Sequence, residues 1–108
     1  MSLTVTHPPR VAWDAALALV DAARADDATA AWCRDWVADL LGVTHASAFL
    51  TTRQRLLDAA AAANEVQVQE GLWRVRVQDA LAARPDLAEP LLDRIDETRS
   101  RLGRGPLG

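Results

Sequence analysis

Chemistry near neutral pH needs side chains that titrate or coordinate, and this chain carries few of them. Its two histidines, His7 and His45, stand beside Pro8 and Thr44 in stretches expected to be non-helical. Neither has carboxylate or thiol companions spaced to converge on it, so both read as solvated loop histidines. The single cysteine, Cys33, lies between Trp32 and Arg34 on an amphipathic pattern. Without a histidine and an acid or amide arranged around it, it reads as a half-buried small residue or an exposed bystander. One cysteine also leaves no disulfide framework and no multi-cysteine metal site. Asp35 and Asp39 share a helix face, a spacing that can hold a divalent ion. A carboxylate centre in a bundle wants Glu-x-x-His units from several helices, however, and none is present, so a solvated acidic face is the expectation. All 12 basic residues are arginine, which removes the phosphate-loop lysine. No catalytic residue, cofactor site or metal ligand is expected from this inventory.

Recognition remains. Four tryptophans stand against one phenylalanine and no tyrosine. Trp32 and Trp36, four apart, are expected to stack, and Trp13 and Trp73 fall on the apolar faces of other helices. Tryptophan supplies core burial in a small bundle, and together with arginine it also anchors interfaces. The candidate interface residues are therefore Trp32, Trp36, Trp73, Arg74, Arg76 and Arg94. The net charge of −3 makes nucleic acid an unlikely partner, because a duplex binder carries a basic face. The one basic cluster, Arg94, Arg99, Arg101 and Arg104, is offset by Asp93, Asp96 and Glu97.

The elements that would position these residues follow from periodicity. Residues 1–9 read as an extended lead-in because of the proline pair. Residues 10–102 form the single domain, and 103–108 a flexible tail. Trp13, Leu17 and Val20 begin a first helix. Asp27 reads as the N-cap of a second, whose apolar stripe is Trp32, Trp36, Val37, Leu40 and Leu41, and Gly42 ends it. Residues 43–50 read as a connector with a short turn of helix, and Thr51-x-x-Gln54 as a capping box opening a third helix at Thr52. Its alanine run through Ala63 suggests a central helix. Residues 65–78 are ambiguous, because VQVQ-EG-LWRVRVQ alternates like a β-hairpin. The competing helical face is Val66, Trp73, Val77, Ala80 and Leu81, and helix is preferred because a lone hairpin is marginal. A 3₁₀ turn at 86–89 then leads into a last helix from Pro90, with Leu91, Leu92, Ile95 and Leu102 buried. The fold class is all-α: a compact antiparallel bundle of four or five helices with short loops, the hairpin at 65–78 being the alternative.

Two resemblances bear on function. TTRQRLLDAA (51–60) resembles the opening helix of TetR-type repressors, but AAAANEVQVQEGLW follows where a helix-turn-helix should, so DNA binding is not carried over. AWCRDWVADLLG (31–42), LTTRQRLLDAA (50–60) and LWRVRVQDALAARPDLAEPLLDRI (72–95) are similar in order and spacing to small helical actinobacterial proteins of bacterial conflict systems. That resemblance implies a companion of a larger effector or signalling protein, acting by association. The expected function is a non-catalytic interaction or adaptor module that binds another protein or itself, a homodimer included, through a helix face. A nucleic-acid-binding regulator and a ligand-binding or enzymatic bundle with its site between subunits are the alternatives. With no secretory signal and no apolar run of membrane-spanning length, the expected compartment is the cytoplasm.

Overall fold

A computed structural model describes residues 8–58 and 64–104. The helices are α1 Pro8–Ala23, α2 Asp27–Leu41, α3 Val43–Leu57, α4 Glu65–Ala83 and α5 Ala88–Arg101, with a 3₁₀ turn, Pro85–Leu87, before the last. The fold is an all-α bundle. No strand occurs among the described residues, and 65–78 is helix. None of the described helices is long and apolar enough to cross a membrane.

The centre of the bundle is α1, which touches each of the other four helices and packs most extensively on α4. Val11, Ala12, Ala15, Ala16, Ala18, Leu19, Val20, Ala22 and Ala23 are all buried and make a broad apolar face around more than half of the helix, while Arg10, Trp13, Asp14, Leu17 and Asp21 lie on the opposite, less buried side. Alanine has no side chain beyond Cβ, and neighbouring helices can therefore close in from several directions. The alanine run expected to play this part, at 59–63, lies outside the described residues, as do His7 and the rest of 1–7. Pro8 and Pro9 do not belong to an extended lead-in. They open α1, where a missing N–H costs nothing because the first helical N–H groups have no intrahelical acceptor.

At the next junction the N-cap is Asp26, with extended backbone, and Asp27 is the first helical residue. A hydrogen bond with the Thr29 side chain is the main cause holding the Asp26 carboxyl below its ordinary value. Gly42 alone separates α2 from α3. Its N–H bonds to the carbonyls of Val37 and Ala38, both at 3.1 Å, and its own carbonyl accepts the first bond of α3 from Ala46. Helix α3 therefore begins at Val43, and 43–50 is not a connector. Thr51 sits mid-helix and opens nothing: its hydroxyl donates back to the Ser47 carbonyl at 3.2 Å. Threonine satisfies a carbonyl four residues back as readily as it caps, which is why the Thr-x-x-Gln pattern misleads here. His45 is consequently helical too.

The chain enters α5 by the 3₁₀ turn, three residues long and one residue earlier than its expected place. Pro90 is the third residue of α5, still inside the first turn, so no helical bond is lost. At the far end Gly103 takes φ +78, and the N–H groups of Gly103 and Arg104 bond to the carbonyls of Ser100 (3.1 Å) and Arg99 (2.8 Å). That is a Schellman cap, so 103–104 finish the helix and are not a free tail. Arg104 then reaches Asp21 on α1 at 3.3 Å.

Two glycines give opposite predictions from the same measurement. A Cβ at Gly42 or at Gly71 would meet nothing within 4 Å, so neither substitution by alanine is a steric problem. Gly42 has φ +104 and ψ 165, a region essentially reserved for glycine, and Gly42→Ala is expected to destabilise by about 1–3 kcal/mol. Gly71 is interior to α4, and Gly71→Ala is expected to stabilise by about 0.5–1 kcal/mol. Urea denaturation of the two variants at low protein concentration checks both signs.

Candidate functional site

The six candidate interface residues do not come together. Trp36 and Trp73 are buried, at 3% and 0% exposure, and neither offers a surface anchor. Trp32 is half-buried, and Arg101 of α5 lies 4.1 Å over its ring. Arg74 stands 5.9 Å from the ring of Trp13 and Arg76 5.3 Å from that of Trp73. Arg94 pairs with Glu97 at 3.2 Å. Trp13, expected to be buried, is instead exposed at 42%.

The two buried tryptophans share one device. Trp36 Nε1 donates to Thr98 Oγ1 at 3.2 Å, and that hydroxyl donates to the Arg94 carbonyl at 2.7 Å, tying α2 to α5. Trp73 Nε1 donates to Thr52 Oγ1 at 2.8 Å, and that hydroxyl donates to Gln69 Oε1 at 2.9 Å, tying α4 to α3. Gln69 Nε2 then donates to Glu65 at 3.0 Å. Indole can only donate, and a threonine hydroxyl both accepts and donates. Each buried polar group is thereby satisfied, and no buried side-chain N or O atom among the described residues lacks a partner. Both networks tie neighbouring helices together through the core.

Cys33 is fully buried, and desolvation pushes its thiol far above the ordinary 9.0 despite the opposing hydrogen bond with Trp36. Disulfide reagents are expected to leave it unmodified in the native protein and to label it completely in denaturant. The same shift carries a pH dependence: only the unfolded chain can ionise this thiol in the alkaline range. Its contribution to stability is therefore intact below pH 9 and is lost as pH rises beyond it, by up to about 1.4 kcal/mol per pH unit. Cys33→Ala should remove that slope. Asp35 is engaged by Arg34 at 2.8 Å, and no group of His, Cys, Asp or Glu among the described residues is placed to hold a metal ion. An open depression of about 480 Å³ between α3 and α4 is lined by Thr44, His45, Ala48, Arg76, Asp79 and Ala80. Its charges are of mixed sign and its walls hold no buried polar group awaiting a partner.

The feature that stands out is α4 itself. Gln69, Trp73, Val77 and Leu81 face inward and are buried. Val68, Leu72 and Val75 fall on a second stripe, about 150° away around the helix, and are exposed at 49%, 46% and 51%. One helix is thus apolar on two opposed sides, with only one of them covered. Helix α3 exposes Val43, Leu50 and Leu57 as well, but these recur only every seventh residue, with Ser47, Thr51 and Gln54 between them. The α4 stripe is the denser. It was also recorded in the alternation of VQVQ and LWRVRVQ: a helix apolar on both sides produces a two-residue rhythm that imitates a strand.

No protein-family model, no curated protein and no solved structure matches this chain.

Proposed function

We propose that the chain is a non-catalytic docking module that binds another polypeptide through the outer face of α4. The observation that carries this is the second apolar stripe of Val68, Leu72 and Val75 on a helix whose opposite side already supplies the core. The row contributes nothing to the core, and its contiguity on one helix face, in contrast to singly scattered surface residues, is the arrangement that suits association. The presentation is that of a helix face read at i, i+4 and i+7.

The charge distribution supports a polypeptide over nucleic acid. Arg34, Arg53, Arg84, Arg94 and Arg104 pair with carboxylates, and Arg74, Arg76 and Arg101 lie over tryptophan rings. They do not form a phosphate-tracking face on a chain of net charge −3. A lone, buried cysteine suits action in a reducing cytoplasm.

A photo-crosslinking amino acid placed at Leu72 in the producing cells tests this reading, with Gln78, exposed on another side of α4, as control. Adducts are expected at position 72 and not at 78. If positions 68, 72 and 75 all yield no adduct, the docking reading fails.

A further inference from the structure

We propose that the occupant of this face is a second copy of the chain, its α4 antiparallel to the first about a two-fold axis beside Gly71. The inference rests on reading the outer face of α4 as a docking surface, and it adds the identity and register of what binds there. Charge carries it. Glu65 and Arg76 are eleven residues apart, close to three helical turns, so they lie on the same flank of the Val68–Leu72–Val75 stripe. A two-fold midway between them sets Glu65 of each copy opposite Arg76 of the other, giving one opposite-charge pair at each end of the contact. A parallel arrangement would instead place Glu65 beside Glu65 and Arg76 beside Arg76.

Along the rest of the helix Val75 faces the Val66–Gln67 stretch of the other copy, and Asp79, the next residue on the stripe, lies about one turn beyond each Glu65–Arg76 pair. Val68 of one copy meets Leu72 of the other, twice. Gly71 meets Gly71 near the axis, where the absence of side chains lets the two helices approach closely. On the opposite flank Gln67 faces Arg74 of the second copy, so no like charges oppose each other there. Within one copy Glu65 accepts from Gln69 and the Arg76 guanidinium lies over the Trp73 ring, so association exchanges or shares these contacts for the pairs between copies. The contact is one helix face per copy, which places it among small, reversible interfaces.

Sedimentation equilibrium tests the proposal. The weight-average mass should rise from 11.7 kDa toward twice that value between about 10 μM and about 1 mM protein. Leu72→Arg should hold it at the monomer mass. Glu65→Arg and Arg76→Glu, each examined alone, should weaken the dimer roughly tenfold, since each turns two attractive pairs repulsive. An equimolar mixture of the two should associate again, because every pair in the heterodimer is then of opposite sign. A wild-type chain that stays monomeric throughout, or charge variants that fold by circular dichroism yet do not recover on mixing, would overturn the proposal. Should a charge variant not fold, wild type against Leu72→Arg decides alone. If the wild type is monomeric but Leu72 crosslinks a different protein, only the second copy is refuted and the docking reading stands.

Discussion

Thr52→Val is expected to destabilise the fold by about 2–5 kcal/mol, although it changes neither volume nor branching. The hydroxyl it deletes is the acceptor for Trp73 Nε1 and the donor to Gln69 Oε1, so two buried groups lose their partner at once. Thr52, Gln69 and Trp73 are exposed at 2%, 4% and 0%, leaving water little access to replace the lost bonds. Each stranded group carries its own desolvation penalty of about 1–3 kcal/mol, and the two add before any relaxation. Thermal denaturation should show the midpoint falling by more than about 10 °C. The mechanism has its own control. In a Gln69→Met, Trp73→Phe background no polar group depends on residue 52, and Thr52→Val should there become close to neutral. A cost that survives unchanged in that background would mean that the hydroxyl is not what matters.

Arg53→Met is expected to be the other large loss, about 2–4 kcal/mol, and for a different reason. Arg53 extends from α3 to the junction of α1 and α2. Its Nη1 donates to the Ala23 and Ala25 carbonyls at 3.0 and 2.8 Å, and its Nη2 pairs with Asp27 at 2.6 Å. One planar guanidinium thus finishes the C-terminus of α1 and steadies the start of α2. Only 13% of the Arg53 side chain is exposed, whereas that of Asp27 is fully exposed. The carbonyl bonds therefore carry the effect, and the ion pair, screened by solvent, contributes little. Arg53→Met should cost the same in low and high salt, while Asp27→Asn should be mild and its small effect should vanish as salt rises. Lysine at 53 should rescue only part of the loss, since a single ammonium cannot reach three acceptors in the geometry of the fork.

The helical class and the positions of α2, α4 and α5 were readable from spacing, because each has a stripe that core packing fills. Trp36, Val37, Leu81, Leu91 and Ile95 all fall where periodicity puts them. What could not be read is instructive in each case. The start of α3 is hidden because Gly42 ends one helix and begins the next without an intervening polar turn. The centrality of α1 is hidden because alanine is a weak hydrophobic signal, yet small size is what a helix packed against four others requires. The polar networks escaped because Thr52, Gln69 and Thr98 look like surface residues until folding brings their partners to them, Trp73 to Thr52, Trp36 to Thr98 and Thr52 to Gln69. The outer face of α4 was present as alternation, but alternation is also the rhythm of a strand, so even with helix preferred at 65–78 it did not mark a second apolar side. The expected anchors Trp36 and Trp73 were taken up by the core, and Val68, Leu72 and Val75, the aliphatic neighbours of Trp73 on α4, were left outside.

The alanine-lined α1 also determines which mutations this molecule can absorb. In most small domains the core is sensitive to truncation, because large side chains leave holes. Here Ala12, Ala15, Ala16, Ala18, Ala22 and Ala23 have almost nothing to truncate, and each is fully or almost fully enclosed by neighbouring helices. A saturation library along α1 should therefore show an inverted profile, with glycine and serine tolerated at several of these positions and valine, leucine or larger residues rejected. The axis of the bundle is bounded by an upper limit on size, so growth and not loss is what natural variation in this helix has to avoid.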